Sequence, residues 1–232
     1  MIDTVLFNLD GTLRDWPSAI TQAISELRSD RPNALSENLG NDLNTRLEAA
    51  IKQQLFMLQK DQIVARRHYW IDVDPLPTWR AALPELEPKA LDMLVTRFRT
   101  LLDAVPFADV HPALEQLREN YALGVLTNSP RPESILQRLG FTQYFDAIVT
   151  VFGGTKKPAA AAFELALRKL GSEPATTVYV GNSLHIDIQG ALSAGLMPIW
   201  IDRFSDSYPL PDGAHRIEKL TELPDLLAKL SD

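Results

Sequence analysis

Ile2-Asp3-Thr4-Val5-Leu6-Phe7-Asn8-Leu9-Asp10-Gly11-Thr12 is the stretch on which the fold turns. Its first eight residues are largely β-branched and apolar, and an Asp-Gly-Thr turn stops them. The pattern predicts a buried strand over 2–9 that runs into a tight turn. Four more segments read the same way: 123–127, 147–151, 177–181 and 197–201. Amphipathic helical stretches lie between them, at 110–119, 132–139, 159–170 and 184–194. Strand and helix alternating at this spacing predict an α/β fold, a parallel sheet with helices on both faces.

Residues 16–105 break that rhythm. Positions 17–27 repeat apolar residues at helical spacing, and Pro17 is well placed in the first turn of a helix. A second helical pattern runs from 42 to about 71, and a third covers 90–102. Prolines at 75, 77, 84 and 88 punctuate the interval between the last two, and no strand pattern occurs in the segment. The expected organisation is an α/β core built from 1–15 and 106–232, with an all-helical cap at 16–105 inserted after the first strand.

The bulk numbers narrow the function classes. The 232 residues are 45% hydrophobic and 23% charged, an ordinary mixture for a globular chain. The formal charge is -7 and no long basic tract occurs, which argues against nucleic acid as a partner. No apolar run approaches the roughly 18 residues that would span a bilayer, and the N-terminus lacks a charged-then-apolar leader. Cytoplasmic residence and no membrane partner are therefore expected. With no cysteine, disulfides and thiolate metal sites are excluded. Nothing in the sequence fixes an oligomeric state.

In an open parallel sheet, ligands sit beyond the carboxyl ends of the strands. The polar residues there are Asn8 and Asp10 after the first strand, Thr127 and Asn128 after the second, Lys156 and Lys157 after the third, and Asn182 with Asp187 after the fourth. Any one alone is more often a cap or a turn former. An acid, a hydroxyl, an amide and a lysine from four separate strand ends argue for one shared rim.

With these residues the chain resembles the haloacid dehalogenase superfamily. The family's first motif, Asp-x-Asp-Gly-Thr, is matched by Asn8-Leu9-Asp10-Gly11-Thr12, and Asp15 matches a common extension. Thr127 closes Val125-Leu126-Thr127-Asn128 as the second motif's hydroxyl residue. Lys157-Pro158 with Phe163 matches the third. Gly181-Asn182-Ser183 followed by Asp187-Ile188-Gln189-Gly190-Ala191 matches the fourth. An insertion directly after the first motif is similar to the helical cap of the phosphoglycolate-phosphatase-like branch, on a Rossmann-like core.

The resemblance implies a reaction. An aspartate at position 8 would attack phosphorus and form an aspartyl-phosphate. Asp10 would serve as general acid and base. Thr127, Asn128 and Lys157, with the turn residues Gly11 and Thr12, would bind the phosphoryl group of a small phosphorylated metabolite. Magnesium would sit among position 8, Asp10, position 182 and Asp187.

Two departures bear on that reaction. Position 8 is Asn and position 182 is Asn, where the family has acids. A neutral carboxamide is a far weaker nucleophile than a carboxylate, and two of four negative charges around the metal are gone, so magnesium affinity should fall. Three origins fit the change: a natural non-catalytic relative, a variant made inactive to trap substrate, or an Asn8 that deamidates to aspartate. The expectation is a scaffold for magnesium-dependent hydrolysis of a small phosphate monoester, with activity absent or weak as written. The alternative is a non-catalytic phosphometabolite-binding protein. Carbon-halogen hydrolysis is disfavoured, because dehalogenases proper lack an acid two residues after the nucleophile.

Weaker signals lie nearer the cap. Arg66 and Arg67, in Arg66-Arg67-His68-Tyr69-Trp70, read either as a solvated helix end or as a patch for an anionic leaving group. Arg14 and Trp16 are further candidates for facing substrate. His68, His111, His185 and His215 lack metal-ligand spacing. The Gly153-Gly154 pair has neither Walker nor Gly-x-Gly-x-x-Gly context.

Overall fold

The computed structural model describes residues 1–33, 46, 76, 79–80, 83–203, 205 and 208–231. Six parallel strands form one sheet in the order β3-β2-β1-β4-β5-β6. They are β1 (Thr4–Phe7), β2 (Ala122–Thr127), β3 (Ala147–Thr150), β4 (Thr177–Gly181), β5 (Met197–Ile201) and β6 (His215–Ile217). β1 lies at the centre, paired with β2 on one side and β4 on the other. Every residue of β1 is buried, which is why its sequence reads as an unbroken apolar run rather than an alternation.

Successive side chains of a strand point to opposite faces, and each face of this sheet has its own core. Val5 and Phe7 join Val110, Leu114, Ile135, Leu136, Leu223 and Leu227 on one side. Those residues come from α3 (Val110–Leu117), α4 (Pro132–Leu139) and α7 (Leu223–Ser231). Leu6 joins Leu126, Phe163, Ala166, Tyr179 and Ala191 on the other, under α5 (Ala160–Leu170) and α6 (Gly190–Ser193). Each such Leu or Phe contributes about 1.5–3 kcal/mol by burial. The fold is the expected α/β sheet covered on both sides.

Beyond shifts of a few residues at element ends, the structure departs from the sequence reading at the fourth motif and at β6 and α7. The fourth-motif segment is not a regular α-helix over 184–194. Leu184–Gln189 is a π-helical turn that continues as the short α6. The cause is local: the Ser183 carbonyl accepts from both Asp187 N (2.9 Å) and Ile188 N (3.1 Å), which widens the turn. β6 and α7 had no counterpart in the sequence reading.

The chain divides into two compact units, Met1–Arg14 with Pro106–Asp232, and Asp15–Val105. In the second unit, α1 (Trp16–Asp30) begins at Asp15, whose carboxylate accepts from Ser18 N (2.9 Å) and Ser18 Oγ (2.7 Å). α1 packs against α2 (Pro88–Leu102). Arg97 of α2 donates to Glu26 (3.3 Å) and Asp30 (2.5 Å) of α1. No strand occurs among the described residues of this unit. The second helical pattern lies mostly outside the described residues, and Arg66 and Arg67 lie there entirely. No helix among the described residues is long and apolar enough to cross a membrane.

Candidate active site

Four strand ends meet at one buried cluster within the α/β unit. Just past the end of β1, Asn8 N still donates to Val180 O (2.8 Å), which continues the ladder by one residue. The chain then turns so tightly that the Leu9 carbonyl accepts from both Leu13 N (2.9 Å) and Arg14 N (3.2 Å). Gly11 makes this possible at φ +73, and a Cβ there would stand 2.5 Å from Asn182 Nδ2.

Asn8 is the hub. Its Oδ1 accepts from Lys157 Nζ (3.0 Å), while its Nδ2 donates to the Asp10 carbonyl (2.8 Å) and to Asn182 Oδ1 (2.9 Å). Thr12 Oγ1 reaches the same Asn182 oxygen at 3.5 Å. Trp200 Nε1 holds the Asn182 carbonyl (3.0 Å) and so fixes that backbone at the end of β4.

Lys157 has no exposed side-chain surface. Besides Asn8, its ammonium donates to Tyr179 Oη (2.5 Å) and to Asp187 Oδ1 (2.7 Å). An ammonium has three hydrogens, and all three are taken. A phosphoryl oxygen that bonds directly to Lys157 must displace one of these partners. Burial pushes the Lys157 pKa below the ordinary lysine value, against the charge and hydrogen bond of Asp187, which raise it. The other Asp187 oxygen accepts from Ser183 N (3.0 Å). Gly181 allows that approach, since a Cβ on it would fall 2.4 Å from Asp187 Cβ.

β2 supplies the fixture for Lys157. The Asn128 side chain donates to Lys157 O (3.2 Å) and accepts from Lys157 N (3.0 Å), a two-point grip on that residue's backbone. Both ends of its carboxamide are engaged there, so the side chain positions Lys157. Thr127 is fully buried, and its Oγ accepts from Ser129 N (3.0 Å), which leaves the hydroxyl hydrogen for another acceptor.

Asp10 is held from two sides. Ser129 Oγ donates to its Oδ2, and the buried Arg14 guanidinium forms an ion pair with its Oδ1. Arg14 thus belongs to the cluster as the partner of Asp10. Trp16 lies on the buried stripe of α1 with Ala19, Ile20, Ala23, Ile24 and Leu27, spaced as a helix core face requires. Lys156 instead places its ammonium 5.3 Å from the Phe152 ring centroid. His185 is exposed to an intermediate degree and meets Gln189 Oε1 at 3.3 Å, a local surface contact.

Asn8, Asp10, Thr12, Lys157, Asn182 and Asp187 are joined by direct contacts, and Thr127 joins them through Ser129. Ser129 and Tyr179 were missed in the sequence. Tyr179 alternates with Val178 and Val180 and reads as another core residue of β4, and a serine two places past a strand reads as a turn former.

The donor set does not fit a divalent cation. The Asp10 carbonyl and Asn182 Oδ1 both accept from the Asn8 amide. Asp187, the remaining fourth-motif carboxylate, has both oxygens engaged. No group of three or more His, Cys, Asp or Glu suited to a metal occurs among the described residues. A hard cation needs several oxygen ligands with charge among them, and these oxygens already face hydrogens.

Comparison with known proteins agrees with this architecture. The chain is 31% identical to a glyceraldehyde 3-phosphate phosphatase of Methanopyrus kandleri, over 100% of this chain and 99% of the relative. It is 28% identical to a ribulose-1,5-bisphosphate 5-phosphatase of Halopiger xanaduensis, over 98% and 100%. Among solved structures, a HAD phosphatase from Thermococcus onnurineus is 29% identical with a TM-score of 0.61, covering 97% of this chain and 98% of the other. The family model for haloacid dehalogenase-like hydrolases matches residues 2–195. Strand order, ordered motifs and relatives agree, and the chain belongs to the haloacid dehalogenase-like hydrolase family.

Proposed function

We propose that this chain is a phosphatase-type scaffold for a small phosphate monoester, of the sugar-phosphate class its relatives' names describe, with the aspartyl-phosphate route closed at Asn8. One observation carries the reading. The residue in the nucleophile position is a neutral carboxamide at the centre of the cluster, with its oxygen on Lys157 and its nitrogen on Asp10 O and Asn182 Oδ1. A carboxamide has no negative charge, and its oxygen is a far weaker nucleophile toward phosphorus than a carboxylate's. Asp10, held by Arg14 and Ser129, remains placed as a proton carrier. Thr127, with a hydroxyl hydrogen to give, and Lys157, once one of its three partners is displaced, would bind a phosphoryl group at the strand ends. The segment at 16–105 is the cap in this reading.

A second reading, a phosphometabolite-binding protein that performs no hydrolysis, is favoured by the same amide bonds, which complete the site without a substrate.

Phosphate release from a panel of sugar phosphates tests both readings. The chain as it stands should be slower than N8D/N182D by at least about a thousand-fold, the scale on which a nucleophile's removal is felt. Comparable rates for the two would overturn the closed-route proposal. A double variant that binds sugar phosphates but releases no phosphate would favour the pure binder.

A further inference from the structure

The Asn8 carboxamide can point only one way. Lys157 Nζ can only donate and it lies on Oδ1; the Asp10 carbonyl can only accept and it lies on Nδ2. Exchanging the two ends would set NH2 against an ammonium and oxygen against a carbonyl. The NH2 group is therefore fixed between the Asp10 carbonyl and Asn182 Oδ1, two of the oxygens that the family resemblance gives to the cation.

We propose that the Asn8–Asn182 pair is a built-in replacement for the divalent cation, so that this cluster is complete, and accepts a phosphate group, without metal. The argument has a geometric part and an electrostatic part. Geometrically, one NH2 supplies a hydrogen to each of two oxygens, the Asp10 carbonyl and Asn182 Oδ1, and Thr12 Oγ1 adds a second contact to the Asn182 oxygen. Electrostatically, exchanging two carboxylates for two carboxamides removes the same amount of negative charge that one divalent cation would neutralise. What remains is balanced: Arg14 against Asp10 and Lys157 against Asp187, all buried. The two asparagines are thus coupled. Restoring one carboxylate leaves an uncompensated buried charge, and restoring both restores the demand for a cation.

The two single reversions are not equivalent. N182D keeps the Asn8 NH2 as donor and gives it a stronger acceptor. N8D removes that donor and sets a carboxylate oxygen against the Asp10 carbonyl. A merely tolerant pocket would not rank them.

The inference rests on the phosphate-site reading for its ligand but not for its metal behaviour, so the test has two arms. In the first, thermal unfolding of EDTA-treated protein is followed with and without Mg2+. The midpoint of the parent chain should not move, N8D should melt below N182D, and N8D/N182D should melt low in EDTA and rise with Mg2+. A rise with Mg2+ in the parent, or N182D melting below N8D, overturns the proposal. So does a folded double variant that ignores Mg2+. If the double variant does not fold, the parent and the two single variants decide. In the second arm, calorimetry with inorganic phosphate should give the parent the same affinity in EDTA and in Mg2+, within about two-fold, and the double variant an affinity at least about ten-fold higher in Mg2+. Phosphate binding by the parent only in Mg2+ overturns metal independence. No phosphate binding in either buffer overturns the phosphate reading, and the first arm then judges the amide pair alone.

Discussion

Lys157 Nζ lies 2.7 Å from Asp187 Oδ1, and neither side chain has exposed surface. A buried pair is a modest source of net stability, because desolvation opposes the attraction, yet removing one partner leaves the other charge uncompensated. Asp187→Ala is therefore expected to cost about 3–5 kcal/mol in urea unfolding. K157M/D187L should cost less than the two single losses together, because the double change leaves no stranded charge. Additive losses would show that the pair is not energetically coupled.

The same lysine gives a pH dependence of unusual sign. Its pKa is lowered on folding, by burial first, from an ordinary value of 10.5. Between the folded and unfolded pKa values the unfolded chain holds more protons, so raising the pH across that window favours the folded state. The destabilising contribution is fully present below the folded pKa and gone above about 10.5. Unfolding midpoints of the parent and K157M, compared across alkaline pH, should show the parent gaining on the variant as pH rises. A parent that loses ground would contradict the assigned direction.

Asp10 is gripped by Arg14 and by Ser129, and the two grips should differ in strength. Arg14→Met strands a buried carboxylate and is expected to destabilise by about 3–5 kcal/mol. Ser129→Ala removes one hydrogen bond to a charged group, worth about 1.5–3 kcal/mol. Chemical denaturation of both variants checks the order, and each cost should shrink when the same change is made on D10N. If Ser129→Ala proves the costlier change, the ion pair is not the principal support.

Gly11 and Gly140 share a left-handed backbone, at φ +73 and +76, but differ in surroundings. A Cβ at Gly140 meets nothing within 4 Å, whereas one at Gly11 lands 2.5 Å from Asn182 Nδ2. Gly140→Ala should carry only the conformational cost, about 1–2 kcal/mol. Gly11→Ala should cost more, and it should weaken phosphate binding because Asn182 must move. Equal effects on calorimetric phosphate affinity would show that the close approach has no bearing on the site.

The strands were legible because a parallel sheet buried on both faces writes itself as short apolar runs, and β4 and β5 run over the residues expected. β6 was not, because His215-Arg216-Ile217 is brief, polar and at the sheet edge, where one pairing partner suffices. The cluster at Asn8, Asp10, Lys157 and Asp187 was legible because each residue follows a strand end. The bonding within it was not. That Asn128 holds a backbone depends on where residue 157 arrives from a distant segment, and no local pattern encodes that arrival. Arg14 shows the same limit. Its closeness to Asp10 comes from the double acceptance at the Leu9 carbonyl, a backbone event invisible in side-chain types.

The chain leaves the sheet and returns to it at a single doorway. Phe107 N donates to Leu13 O at 3.2 Å, and Arg14 and Pro106 form an antiparallel bridge. The central pairing of Thr4 with Ala122 spans a long excursion of chain, yet the two ends of that excursion are already neighbours. Loop-closure entropy rises only slowly with the number of residues enclosed, so lengthening, shortening or exchanging the intervening helices asks little of the strands. The doorway makes the insertion an interchangeable module, free to diversify while the sheet keeps its register.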